Sequence, residues 1–210
     1  MISDRLHTCS LALVLLAAAC STDQANPTPS SDNDPAADAA LADAASAAQV
    51  QLSSLHGTRI LLYQSSCATS FVITEFVPVI GPDGNPVVGP DGRPIPARLT
   101  VSLTGRCDLR HFGAASLRAT QQVVFNPDGS QSLHNESRYT VGVGDVLYSV
   151  SDGTGALSPT DPTTVTFEAW ERFTGGTGRF ARARGGAKAR GSANLATAQG
   201  EYRALGVIGY

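Results

Sequence analysis

Apolar and polar positions fall into three regimes along this chain. Leu11 to Ala19 is an uninterrupted apolar run of nine residues. Ser21 to Gln49 is built of small, polar and acidic residues, with Leu41 its only large apolar side chain. From about Val50 the pattern switches to period two. Phe71, Ile73 and Val77 alternate with Ser70, Thr74 and their neighbours, and Leu99, Val101 and Leu103 with Thr100, Ser102 and Thr104. Val165, Phe167, Ala169 and Phe173 alternate with Thr164, Thr166, Glu168 and Arg172. That alternation is the mark of half-buried strands. Turn signals punctuate it at Asn126-Pro-Asp-Gly129, Asp152-Gly153, Ser158-Pro159, Asp161-Pro162 and Gly175-Gly176. Strands are expected at about 57–64, 69–79, 97–105, 114–125, 132–141, 145–151, 163–174 and 199–208. No helical period separates them, so the body, residues 50–210, is expected to be all-β, an antiparallel barrel or sandwich of about eight strands.

The first two regimes carry an address rather than a fold. The run of nine is too short for a permanent membrane span. With Arg5 ahead of it and small residues behind, it has the parts of a secretion signal. Ala17-Ala18-Ala19-Cys20 resembles the lipobox of bacterial lipoproteins, with Leu16 just upstream. The resemblance implies a signal peptide over 1–19, lipidation and acylation at Cys20, and membrane attachment through that anchor. Ser21 after the cysteine implies the outer membrane within the cell envelope. Plain secretion, with cleavage after Ala-x-Ala and no lipid, is the alternative. Residues 20–49 then read as a disordered tether, since they lack the apolar surface that would offset the entropy of ordering.

Charge narrows the partners. Only 16% of residues are charged, which excludes a coiled coil. The tether holds five acids and no base, whereas from residue 50 onward 14 Lys and Arg face 12 Asp and Glu. A body so nearly neutral is not a nucleic-acid binder. Cys67 and Cys107 are the only cysteines in the body. In an oxidising compartment such a pair reads as a disulfide, with two buried free thiols as the alternative.

Chemistry is sparse. His56, His111 and His134 have no metal-ligand spacing, no cofactor motif is present, and Gly-x-Ser-x-Gly is absent. No catalytic set can be nominated. Two carboxylates stand out instead. Glu75 shares its alternation face with Phe71, Ile73 and Val77, and Glu171 shares its face with Phe167, Ala169 and Phe173. If both faces point into a barrel, the two acids meet in an apolar cavity, where desolvation raises their pKa values and a ligand can be anchored. Pairing with an arginine, or a register slip or bulge that moves a glutamate to a rim, is the competing outcome.

Two further features are local. Gly81-Pro-Asp-Gly-Asn-Pro-Val-Val88 is followed directly by Gly89-Pro-Asp-Gly-Arg-Pro-Ile-Pro96. This tandem repeat reads as an expanded hairpin loop more readily than as a presented recognition segment. Phe173-Thr-Gly-Gly-Thr-Gly-Arg-Phe180, with His111-Phe112-Gly113 earlier in the chain, resembles a secreted bacterial family marked by a "GGTGRF" motif. Through it the chain is similar to the allene oxide cyclase and dirigent-like barrels. The resemblance implies a calycin-type barrel of about eight strands. It specifies a backbone geometry and not a chemistry. Arg179, Arg182, Arg184, Lys188 and Arg190 form a basic cluster, expected either to meet a polyanion or to be a solvated turn guarding an edge strand. The functional expectation is a non-enzymatic binding or scaffold module, holding a small apolar ligand in the barrel or a partner at its rim. A cyclase- or isomerase-like enzyme using the cavity, and a purely structural surface protein, are the alternatives.

Overall fold

In a computed structural model the structure describes residues 59–210. The expected signal peptide, Cys20, the expected tether and the start of the body at Val50 lie outside the described residues. The rest is eight strands: β1 (Ile60–Pro78), β2 (Pro96–Leu109), β3 (Gly113–Phe125), β4 (Gln131–Val141), β5 (Asp145–Leu157), β6 (Thr164–Thr177), β7 (Arg184–Asn194) and β8 (Gln199–Gly209). A single 3₁₀ turn, Gly178–Phe180, precedes β7. Each strand pairs antiparallel with the next, and β8 returns to β1, giving a closed up-and-down barrel. The all-β class and the barrel expected from the alternation are therefore present.

Two boundaries differ from the sequence reading. The segments expected at 57–64 and 69–79 are one strand, because Ser65, Cys67 and Thr69 continue the inward row between Tyr63 and Phe71. The strand β7 was not expected. Its inward positions are Gly185, Ala187, Ala189, Gly191 and Ala193, opposite the inward residues of β6 and β8. Small residues give no apolar alternation, yet a tightly coiled barrel needs them. A Cβ on Gly191 would lie 2.2 Å from the Glu201 carbonyl and 2.8 Å from the Phe167 ring.

The two ends of the barrel are unlike. At the end where β1 begins and β8 finishes, Phe112 meets Phe180 and Tyr210 edge to face, with centroids 5.0 and 5.5 Å apart, and Phe180 and Tyr210 are tilted at 6.2 Å. Arg179 lies over Phe112 and Phe180. Burying rings of this size contributes roughly 1.5–3 kcal/mol each. The glycine motif sets this plug. Gly178 has φ +56°, and a Cβ there would strike the Asp145 carboxylate. That carboxylate accepts from the backbone N–H and the Nε of Arg179, at 3.1 and 2.6 Å. The motif thus ties β5 to the turn that delivers Phe180.

The opposite end carries the tandem repeat. Each copy is a tight turn: Gly84 donates to the Gly81 carbonyl and Gly92 to that of Gly89. Pro at the second position and a positive-φ Gly at the fourth suit such turns. Asn126-Pro-Asp-Gly129 repeats the geometry, with Gly129 donating to Asn126. Three backbone bonds then close a ring: Val79 N–H to the Ile95 carbonyl, Ile95 to Val87, and Val87 to Val79, at 2.9 Å each. The repeat is an ordered, triangular projection held by its own backbone.

The Cys67–Cys107 disulfide is formed. The two residues are direct cross-strand partners of β1 and β2 with side chains turned inward.

Candidate binding site

Reading the register around the barrel gives the lumen. Tyr63, Leu109, Leu147, Phe173 and Ile208 fill its plugged half and are buried almost completely. In the other half, inward residues such as Phe71, Leu103, Asn135, Ser151, Phe167 and Tyr202 remain partly accessible to solvent. The interior is therefore a cup, closed by the aromatic plug and reached by water from the end that carries the repeat. Its walls are apolar at Val101, Val123 and Leu133, which pack with Phe71, Leu103 and Phe167. They are polar along β4 and β5, at Asn135 and Ser151.

Glu171 sits at the floor, 3% exposed. Inward alternation along β6 carries it there, between Ala169 and Phe173. Its Oε1 accepts from the Tyr139 hydroxyl at 2.7 Å and from the Ser149 hydroxyl at 2.6 Å. Tyr139 and Tyr202 hydroxyls are 2.8 Å apart. Since Tyr139 gives its only proton to Glu171, Tyr202 is the donor in that second bond. A chain of hydroxyls therefore leads from the partly accessible Tyr202 to a buried carboxyl. Burial raises the Glu171 pKa, and the two hydroxyls offset this only in part. Tyr63, Tyr139 and Tyr202 are likewise pushed up, first by burial and then by the nearby Glu171 charge.

The floor is not fully satisfied. Among the described residues, Glu171 Oε2 and Asn135 Oδ1 are buried in the lumen without a hydrogen-bond partner, while the Tyr63 hydroxyl has the Ser65 and Tyr139 hydroxyls beside it. A buried polar atom left unpaired costs about 1–3 kcal/mol, so these two atoms are lumen groups without partners inside the fold.

Glu75 does not join them. A bulge between Ile73 and Glu75 shifts the β1–β2 register by one, so Ile73 still faces Val101 while Glu75 faces Thr100 on the outer surface. There it accepts from Thr100 Oγ1 at 2.7 Å and lies 3.7 Å from Arg98. The expected pair of cavity carboxylates is thus a single one, because one extra residue exchanges the two faces of a strand. The basic cluster is also corrected. In a closed barrel β7 is no edge, and Lys188 and Arg190 both pair with Glu168, at 2.9 and 2.8 Å. Arg179 pairs with Asp145, and Arg184 donates to the carbonyls of Thr174 and Ala183. Arg179, Arg182 and Arg184 are exposed, while Lys188 and Arg190 are half-buried.

Tyr139, Ser149, Tyr202, Tyr63 and Ser65 were not singled out from the sequence. Their signal was the presence of polar residues in inward rows, which reads as weak alternation until closure shows that the row faces a lumen. No set of three or more metal-ligating side chains is grouped among the described residues, and no helix among them is long and apolar enough to cross a membrane. No protein-family model, curated protein or solved structure matches the chain.

Proposed function

We propose that this chain is a lipid-anchored envelope protein whose barrel binds a small, mostly apolar molecule, gripped at its one polar end by the floor of the cup. The observation that carries the reading is the buried Glu171 Oε2, which has no hydrogen-bond partner inside the fold. It lies below walls of Phe71, Leu103 and Phe167 that water can reach. Apolar walls with a few convergent polar groups and a perturbed carboxyl are the usual composition of a small-molecule site. Burial favours the neutral form of Glu171, and a neutral carboxyl offers a donor at Oε2; the Tyr63 hydroxyl, with Ser65 beside it, lies near. The matching ligand end is a carbonyl or hydroxyl. The Cys20 anchor and the tether would hold this cup near a membrane, where apolar molecules partition.

Native mass spectrometry of the protein purified from its own envelope tests the reading. A retained small molecule in the parent, lost in Glu171→Leu, is expected. A parent that carries nothing, and releases nothing on extraction with organic solvent, would overturn it.

A further inference from the structure

The outer wall of the barrel carries a second, separate feature. Arg118 on β3 and Arg138 on β4 are direct cross-strand partners. They point outward, since Leu117, Ala119, Ser137 and Tyr139 beside them are buried inside. Like charges placed directly opposite each other destabilise a sheet. No compensating acid is in contact, because neither arginine belongs to any of the ion pairs among the described residues. Glu136 shares their face and pairs with neither. The same outward row continues through Thr104, opposite Arg118, and Tyr148, opposite Arg138. Together with Thr120 and Glu136 these residues line a depression in the outer sheet that is broadly open to solvent.

We infer that Arg118 and Arg138 form a binding site for a tetrahedral oxyanion, a phosphate or sulfate group. Cross-strand neighbours have Cβ atoms about 4.5–5.5 Å apart. Two guanidinium forks rooted at that spacing converge on one anion, each donating two parallel N–H bonds to a pair of its oxygens. The Thr104 and Tyr148 hydroxyls flank the row as neutral donors. The anion removes the repulsion that the bare pair carries. Because the depression is open, an oxyanion at the end of a larger molecule enters it as readily as a free one.

The test titrates the full chain with inorganic phosphate and, separately, with vesicles of phosphatidylcholine with or without phosphatidic acid. Binding is followed by calorimetry and by the arginine Nε–Hε resonances. Shifts of the Arg118 and Arg138 signals are expected, with affinity falling by about tenfold or more in Arg118→Gln/Arg138→Gln. Arg182→Gln, at the plugged end, should bind like the parent. Arg118→Lys/Arg138→Lys keeps the charge but loses the forks, so it should bind more weakly than the parent; it also serves if the glutamine variant fails to fold. Binding of free phosphate identifies the group alone as sufficient. Response only to phosphatidic acid vesicles identifies a lipid headgroup as the source. If neither probe binds, or if the arginine variants bind as tightly as the parent, the inference is overturned.

Discussion

Glu171 is a carboxyl that folding removes from water while giving it two hydroxyl donors on one oxygen and none on the other. The native state therefore holds its proton more tightly than the unfolded chain does. Between the ordinary glutamate value, about 4.3, and the raised native value, the native state binds the extra proton. Stability must fall as pH rises through that window, by up to about 1.4 kcal/mol per pH unit. Urea unfolding across this range should show the fall in the parent and not in Glu171→Gln. Parallel curves would mean that the carboxyl is not held as described. The same burial acts on three of the five tyrosines. Titration at 295 nm should leave Tyr63, Tyr139 and Tyr202 un-ionised where ordinary phenols near pH 10 have lost their protons. Full ionisation of a still-folded protein would contradict the buried cluster.

Among elements, the turn before β7 does most to shape the barrel. Gly178 sits in the left-handed region with its missing Cβ against the Asp145 carboxylate. Gly178→Ala should cost about 2 kcal/mol or more, combining backbone strain with loss of the Asp145–Arg179 contacts. Its denaturation midpoint, compared with that of Asp145→Ala, separates the two contributions. The turn's glycines were legible in the sequence as a structural motif. The strand that follows was not, because Gly185, Ala187 and Ala189 bury backbone and methyl groups rather than large side chains. The bulge after Ile73 was equally hidden. Nothing in Thr74-Glu75 distinguishes a continuous alternation from one that skips a residue, and only pairing with β2 decides which face Glu75 takes.

At the scale of the whole molecule, closure is what joins distant parts. The first and last strands pair from Ile60–Gly209 to Ser70–Gln199, so every strand has two neighbours, although β1 beyond Phe71 pairs with β2 alone. The Cys67–Cys107 bond spans a sequence separation of 40 residues across the first hairpin. In the chain-entropy account, a loop of that size stabilises the fold by about 4 kcal/mol. Unfolding in urea with and without reductant should show a loss of that order. No loss would mean that the closed barrel constrains β1 and β2 without the bond. The lumen also belongs to this scale. Tyr139, Ser149, Glu171 and Tyr202 come from four strands and meet only because the sheet is rolled.

The sequence alone determined what depends on local order: the period-two strands, the turn residues that end them, and the absence of any helix-forming stretch in the body. It also carried the pairing of Cys67 with Cys107, since no other cysteine lies in the body. The tertiary structure decided what depends on register and closure. It put Glu171 on the floor of a cup and Glu75 outside, made a strand of glycines and alanines, and set Arg118 against Arg138 on the outer wall. The physical reason is the side-chain period of two. A strand's pattern says that its faces differ, but a single bulge reverses them, and only the neighbouring strands fix which face looks inward.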